Sequence, residues 1–160
     1  NRFTNAQARV CITRPGRAVV SFRGTTSWRD WMHNSMMLQR RLPTAPDNSG
    51  ERAHAGFVWQ YFSIHDDIVR ALEDNGVDRV LLCGHSLGGA LAAVAAASLP
   101  VDIAKDLVTF GAPRAGNADF AHLVESKCAT CVRVVHDRDI VPAMPFRCMG
   151  FEHVCEEWTL

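Results

Sequence analysis

The sequence predicts an α/β fold with a mostly parallel central sheet and helices on both of its faces. After residue 50, apolar segments of strand length alternate with segments that keep helical spacing, and this alternation is typical of parallel sheets. In addition, the apolar run Val80-Leu81-Leu82-Cys83 leads through a glycine-rich turn into an Ala-rich segment without a helix breaker up to Leu99. This strand-turn-helix order is typical of a buried βα unit.

The composition limits the class of protein. The 160 residues suit one domain, and Lys+Arg and Asp+Glu both number 17, so the formal charge is zero. This balance argues against nucleic acid as a partner. No apolar run is long enough to span a membrane. The chain starts at Asn1 without Met or a signal peptide, so we expect a mature or excised segment. We expect residues 1–160 to be a single partial domain, truncated at both ends.

In the first half of the chain we expect strands over residues 8–13 and 18–22, joined by a Pro-Gly turn. A small-residue loop then leads to a short helix over residues 28–36, which Ser27 and Asp30 can cap. Trp28, Trp31, Met32 and Met36 share one face of it. This face is either packed in the core or belongs to a lid over an apolar cleft.

Further on, helical spacing predicts one long helix that ends at Asn75-Gly76, with its apolar positions at Phe57, Tyr61, Ile64, Ile68 and Leu72. Strands are expected over residues 80–83, 107–110, 132–135 and 154–160. Asn117 should cap the helix that carries Phe120, Leu123 and Val124.

The chain has six cysteines, five of which lie outside the predicted central strand. Cys83 lies in that strand and is expected to be a buried thiol. The last four are Cys128, Cys131, Cys148 and Cys155. If the protein is secreted, we expect one or two disulfides among them, and their spacing argues against a zinc ribbon.

The segment Gly84-His85-Ser86-Leu87-Gly88 fits the pattern G-x-S-x-G between a predicted strand and a predicted helix. In that context the motif forms a nucleophile elbow, a sharp turn on which the hydroxyl of Ser86 stands clear of the sheet. Side chains two positions away would collide there, so both positions are glycine. The plainer alternative is an ordinary glycine-rich turn.

A serine nucleophile needs a histidine base, which a carboxylate holds in place. Asp137 and Asp139 both follow a predicted strand and could supply the carboxylate. The oxyanion formed on attack needs two N–H donors, which we expect from Leu87 and from the loop that contains Thr25. This chemistry needs no metal or organic cofactor.

Five blocks of the sequence carry a resemblance to a known family: Phe22-Arg23-Gly24-Thr25, His54-Ala55-Gly56-Phe57, Gly84-His85-Ser86-Leu87-Gly88-Gly89-Ala90, Thr109-Phe110-Gly111-Ala112-Pro113-Arg114-Ala115-Gly116-Asn117 and Arg138-Asp139-Ile140-Val141-Pro142. In these blocks and in their order, the chain resembles the class 3 (fungal-type) triacylglycerol lipases. This resemblance implies an α/β-hydrolase fold and hydrolysis of acylglycerol esters.

The resemblance also implies roles for individual residues. Ser86 corresponds to the nucleophile, Asp139 rather than Asp137 to the triad acid, and Thr25 and Leu87 to the oxyanion hole. The segment over residues 28–36 corresponds to the family's lid helix. The family's catalytic His lies beyond the block that contains His153, so we expect the base to follow Leu160, with His153 and His136 as minority candidates. His54 and His65 are expected to be structural or solvent-facing.

The sequence therefore predicts a serine esterase or lipase that acts on a lipid or small ester, including at a lipid–water interface. A phospholipase A1 or a feruloyl-type esterase is the alternative among enzymes. A catalytically silent, lipase-like binding module is the alternative of another class. Secretion is the expected location, with a cytoplasmic or membrane-peripheral one as the alternative.

Overall fold

The computed structural model describes residues 4–24 and 38–160. Its strands are β1 (Ala8–Arg14), β2 (Arg17–Phe22), β3 (Gln39–Arg40), β4 (Ala53–His54), β5 (Arg79–His85), β6 (Ala104–Phe110), β7 (Cys128–Val135) and β8 (Glu156–Thr159). The main sheet has the order β1-β2-β5-β6-β7-β8, with β1 antiparallel and the other neighbours parallel. The predicted strands are confirmed, with ends that differ by a few residues.

The two remaining strands, β3 and β4, form a second, antiparallel ladder. Bridges connect Ala53 to Gly116 and Gly116 to Glu152. They tie this ladder to the loops that follow β6 and β7. The sequence pattern does not predict it, because two-residue strands are too short to show any periodicity.

Four α-helices are described: α1 (Ala55–Phe62), α2 (His65–Asp74), α3 (Leu87–Ser98) and α4 (Ala118–Lys127). Helix α3 packs across β2, β5 and β6 and touches both α1 and α4. All of its twelve residues are buried. The Asn117 side chain accepts the Phe120 N–H at 3.0 Å, as expected for the cap of α4.

The four described helices all lie on the same face of the sheet. Along β2, β5 and β6 every second residue is buried, and the residues between them are half-buried or exposed. The strand order explains this asymmetry. From β2 onward, each new strand of the main sheet is added on the same side of the last, and right-handed crossovers then place the described connecting helices on one face. Helices on the opposite face, which the alternation also predicts, are not among the described residues.

This asymmetry corrects the expectation for Cys83. Its side chain points to the face that the described helices leave open, so Cys83 is half-buried and free rather than fully buried. Burial of this degree raises the pKa of its thiol. A disulfide among the last four cysteines is confirmed: Cys131 on β7 is bonded to Cys155.

The long helix predicted across residues 57–72 is wrong in one respect, because it is two helices. The five apolar positions are all buried as expected. Ser63 caps the end of α1, and its Oγ donates to the carbonyl of Gln60 at 2.7 Å. Such a bond offers the backbone an alternative to continued helix. The apolar spacing continues through the break, so periodicity alone does not reveal it.

No helix within residues 4–24 and 38–160 combines the length and the apolar character that crossing a membrane would require.

Candidate active site

Ser86 lies between the end of β5 and the first residue of α3. Its backbone has φ = 54° and ψ = −127°, a conformation that L-residues rarely adopt. Such strain costs about 1–3 kcal/mol and persists only where the surrounding structure enforces it. The N–H of Ser86 donates to the carbonyl of Phe110 on β6 at 2.9 Å, and its carbonyl accepts the N–H of Gly89 at 2.9 Å. The elbow predicted from the sequence is therefore present in the fold.

The glycines of the motif are required by close contacts between backbones. A Cβ on Gly84 would lie 2.3 Å from the carbonyl carbon of Gly88. A Cβ on Gly88 would lie 2.3 Å from the carbonyl oxygen of Phe22. Real Cβ atoms do not approach backbone this closely. The turn can therefore form against β2 and α3 only without these side chains.

The hydroxyl of Ser86 is buried, with 5% of the residue exposed. Its Oγ has no hydrogen-bond partner among the described residues. Buried polar groups in this state are uncommon and call for a functional or structural explanation. Ser98 at the other end of α3 also has an unpaired buried Oγ, but its φ is negative, as a helix requires. The strained backbone is what distinguishes Ser86.

Leu87, predicted as an oxyanion-hole donor, is the first residue of α3. Its N–H is thus one of the first four of the helix, which have no acceptor within the helix and carry its partial positive charge. A negative oxygen beside Ser86 would be stabilised there.

Thr25, the other predicted donor, lies outside the described residues, as does the predicted lid segment over residues 28–36. The residue before Thr25, Gly24, packs against the elbow, since a Cβ there would lie 2.7 Å from the carbonyl oxygen of His85. The chain therefore leaves β2 next to Ser86.

Asp139 lies at the same edge of the sheet. Its Oδ1 accepts the N–H of Val141 at 2.9 Å. Its Oδ2 would lie 2.5 Å from a Cβ on Gly111, which places this carboxylate oxygen directly against that residue. Gly111 follows Phe110, whose carbonyl binds the N–H of Ser86. Two adjacent residues, the last of β6 and the one that follows it, thus contact Ser86 and Asp139. Asp137 is exposed.

The two minority candidates for the base differ in their surroundings. His153 is half-buried, and its Nε2 lies 2.8 Å from the carbonyl oxygen of Pro142, to which it donates. Burial, with the positive charges of Arg133 and Arg114, lowers the pKa of His153 to about 4. His136 is exposed, and its Nδ1 accepts the N–H of Arg138 at 3.2 Å.

His54 and His65 occupy structural positions. His54 caps α1 by accepting the N–H of Gly56 at 3.1 Å, and burial lowers its pKa to about 4. Its ring packs against Phe57 and Phe151. The Nδ1 of His65 lies 2.8 Å from the hydroxyl of Tyr61. These contacts agree with the structural roles expected from the sequence.

A cavity of about 550 Å³ adjoins Asp139 on the side of β7 and β8. Charged and polar side chains form most of its wall, among them Arg114, Arg133, Arg147, Glu152 and Glu157. Arg133 is paired with Glu157, and Arg147 with Glu152 at 2.9 Å. An acyl chain needs apolar walls, so this cavity is not suited to one.

No local signal in the sequence marks Arg114 or Gly111 as functional. Both lie within one of the blocks that carry the resemblance, but no spacing or charge pattern distinguishes either of them. What distinguishes them is contact with residues 139–145, about 30 positions further along the chain, which only the folded structure brings close.

Known proteins share this fold and this motif order. A family model for lipase (class 3) matches residues 19–149. A secreted mono- and diacylglycerol lipase of Fusarium solani is 36% identical over 89% of this chain. The chloroplastic phospholipase A1 DAD1 of Arabidopsis thaliana is 31% identical over 84% of it. The solved native complex of Rhizomucor miehei lipase with its propeptide superposes with a TM-score of 0.83 at 29% identity, covering 99% of the chain.

The chain spans 43% and 35% of the lengths of the two sequence relatives and 53% of the Rhizomucor structure. The match nevertheless includes the elbow, α3 and the loop that contains Asp139, since the family model extends from β2 to residue 149. The fold is that of the α/β hydrolases, and the chain belongs to the class 3 lipase family.

Proposed function

We propose that the complete protein hydrolyses carboxylic esters of acylglycerols, with Ser86 as the nucleophile and Asp139 as the triad acid. The observation that carries the proposal is the backbone of Ser86, held at φ = 54° on a turn that leads directly into α3. The Oγ of Ser86 attacks the ester carbonyl, the triad base takes its proton, and an acyl-enzyme forms as the alcohol leaves. Water then releases the fatty acid and restores Ser86.

The first N–H groups of α3 support this chemistry. The oxygen of the tetrahedral intermediate carries a negative charge, and the N–H of Leu87 adjoins Ser86 at the positive end of a fully buried helix. We propose Thr25 as the second donor, because β2 ends beside the elbow. For the base we propose a histidine outside these 160 residues.

The test is release of fatty acid from a long-chain diacylglycerol emulsion by the full-length protein and by matched variants. Ser86→Ala should lower kcat by about 10⁶-fold, because the nucleophile is lost. Ser98→Ala removes an equally buried hydroxyl from the other end of α3 and should leave kcat unchanged.

Asp139→Asn should lower kcat by about 10⁴-fold, since the base loses its orienting carboxylate. Asp137→Asn, two residues away and exposed, should have little effect. If Ser86→Ala retained wild-type activity, the proposal would be wrong. If neither the wild-type protein nor its variants released fatty acid, a silent lipase-like binding module would be favoured instead.

A phospholipase A1 activity is the second candidate, favoured by the 31% identity to the Arabidopsis enzyme of that name. Parallel assays on diolein and on dioleoyl phosphatidylcholine in mixed micelles distinguish the two. A kcat/KM at least about tenfold higher for the phospholipid, or about 1.4 kcal/mol in transition-state stabilisation, would favour the second candidate.

For location we propose secretion. The disulfide between Cys131 and Cys155 persists in oxidising compartments, and the Fusarium relative is secreted by name. Detection of the protein in culture medium with this disulfide intact would test it.

A further inference from the structure

The segment after Asp139 is held by a concentrated set of hydrogen bonds. We name residues 139–146 the Asp139 loop. Its four successive carbonyl groups at positions 142–145 all accept hydrogen bonds from residues outside the loop. Two residues donate to all four. Arg114 donates its backbone N–H to Met144 at 2.8 Å and its Nη1 to the carbonyls of Ala143 and Pro145 at 2.6 and 2.8 Å. His153 donates its Nε2 to the carbonyl of Pro142 at 2.8 Å.

The carboxylate of Asp139 depends on the backbone of this loop for its direction. Its Oδ1 accepts the N–H of Val141, which opens the short 3₁₀ turn Val141–Ala143. Any shift of that turn therefore changes where Oδ2 points. The loop has little apolar packing of its own at its two ends, because Ile140 and Phe146 are both more than half exposed.

Arg114 is itself part of a rigid connection. It lies between β6 and α4, where the N–H of His54 donates to the carbonyl of Ala115 at 2.8 Å and Gly116 bridges to Ala53 and Glu152. The same connection begins with Gly111, which contacts Oδ2 of Asp139. One segment thus touches Asp139 at its carboxylate and holds the loop behind it.

His153 reaches the loop from the residues that lead to β8. Its ring donates to a backbone carbonyl. A neutral imidazole has one N–H donor, so the half-buried ring can make this bond without carrying a charge. Within residues 4–24 and 38–160, no hydrogen bond joins its Nε2 to Ser86 or Asp139. This arrangement fits a residue that holds a loop better than one that accepts a proton from Ser86.

We propose that Arg114 and His153 are positioning residues, which fix the direction of the Asp139 carboxylate by binding all four carbonyl groups at positions 142–145. The inference rests on the proposed role of Asp139 in ester hydrolysis. Neither side chain is assigned a contact with substrate. Both act by keeping the triad acid in line with the base, and a displacement of about 1 Å at such a site can lower the rate about 100-fold.

The experiment measures kcat and KM of the full-length protein on diolein. Arg114→Met keeps most of the side-chain volume but removes both Nη1 bonds, and should lower kcat by about 10- to 100-fold with KM within about twofold. Arg147→Met is the matched control, because Arg147 lines the same cavity but its side chain pairs with Glu152. Its kcat should remain at the wild-type value.

Two variants of His153 separate holding the loop from proton transfer. Gln can donate an N–H to the Pro142 carbonyl but cannot act as a base, so His153→Gln should keep kcat within about threefold of wild type. His153→Leu removes the donor and should lower kcat about tenfold or more. Equal losses in both variants would overturn the positioning role of His153. This pair keeps the proposal testable if Arg114→Met does not fold.

A double-mutant cycle identifies the route of the effect. In the Asp139→Asn background, Arg114→Met should change kcat less than about twofold, because the carboxylate that Arg114 positions is already gone. An unchanged kcat of Arg114→Met in the wild-type background, or an equal loss in both backgrounds, would overturn the inference. The proposed function would fail by a different result, namely full activity of Ser86→Ala.

Discussion

Ser86, which we propose as the nucleophile, is a strained residue. Its positive φ raises the energy of the folded state by about 1–3 kcal/mol, and its buried Oγ has no partner among the described residues. The fold maintains this conformation with backbone hydrogen bonds: the N–H of Ser86 donates to Phe110, and its carbonyl accepts the N–H groups of Gly89 and Ala90. The strain at Ser86 lowers the stability of the fold, and it holds the Ser86 hydroxyl beside the N-terminus of α3.

This strain predicts opposite effects of one substitution on stability and activity. Ser86→Gly removes both the Cβ that makes φ = 54° unfavourable and the unpaired hydroxyl, whereas Ser86→Ala removes the hydroxyl alone. The free energy of unfolding of the glycine variant should exceed that of the alanine variant by about 1 kcal/mol. Urea unfolding at pH 7 measures this difference, and both variants should be inactive.

The opposite order of stability would contradict the strain itself. If the alanine variant were as stable as the glycine variant or more so, the backbone at Ser86 would not be strained in solution. The positive φ could then no longer distinguish Ser86 from the other buried serine of α3, Ser98.

At the scale of elements, the site depends on how closely α3 crosses β5 and β2. The twelve residues of α3 are all buried, and eight of them, between positions 88 and 97, are glycine or alanine. Small side chains allow the helix to begin directly behind the strand that ends at His85.

We expect Gly84→Ala to disrupt this crossing. The new Cβ would lie 2.3 Å from the backbone of Gly88, which cannot move without shifting α3. The free energy of unfolding should fall by about 3 kcal/mol or more, and the yield of folded protein should fall with it. Gly50→Ala is the control, because its Cβ would meet only the side chain of Asp119, which is exposed and can rotate.

Urea unfolding of both variants, or the yield of soluble protein, measures the contrast. Equal stability of Gly84→Ala and wild type would show that the elbow tolerates a side chain at this position. Close contact with the backbone of Gly88 would then not be the reason for a glycine at position 84.

Much of the element structure could be predicted from the sequence, for reasons visible in particular residues. Asn117 predicted the start of α4, and Asn75-Gly76 predicted the end of α2, because capping and turn residues act locally. The break at Ser63 could not be predicted, since the apolar positions Tyr61 and Ile64 remain in register across it. The placement of all described helices on one face follows from strand order, which local periodicity does not contain.

The candidate site was predictable in part: the positions of Ser86 and Asp139 could be predicted from the sequence, whereas contacts between distant residues could not. Ser86 and Asp139 follow strands whose carboxyl ends meet at one edge, and the structure places both there. The role proposed for Arg114 depends on contacts with carbonyl groups about 30 residues away, which leave no trace in the local sequence. The disulfide pairing of Cys131 with Cys155 likewise depends on β7 and β8 being neighbours.

At the scale of the whole molecule, one buried and one half-buried histidine should make stability depend on pH. The pKa values of His54 and His153 are lowered to about 4 in the folded state, chiefly by burial, from an ordinary value of about 6.5. Between these values the unfolded chain binds protons that the folded chain does not. The free energy of unfolding should therefore fall as the pH is lowered from about 6.5 to about 4.

Urea unfolding at three pH values, about 7, 5.5 and 4.5, tests this dependence. His153→Gln should reduce the loss of stability across this range by about 2 kcal/mol, because one of the two groups no longer titrates. His136→Gln replaces a more accessible histidine near Asp139 and serves as the control. An identical pH dependence in wild type and His153→Gln would contradict the burial of His153.

Whether Ser86 is an activated nucleophile in the folded protein can be decided by covalent labelling. The full-length protein would be treated with an alkyl fluorophosphonate, and the adduct located by mass spectrometry. We predict a single adduct on the peptide that contains Ser86, its loss in Ser86→Ala and its retention in Ser98→Ala. Absence of an adduct from the wild-type protein, or an adduct that persists in Ser86→Ala, would show that Ser86 is not the nucleophile.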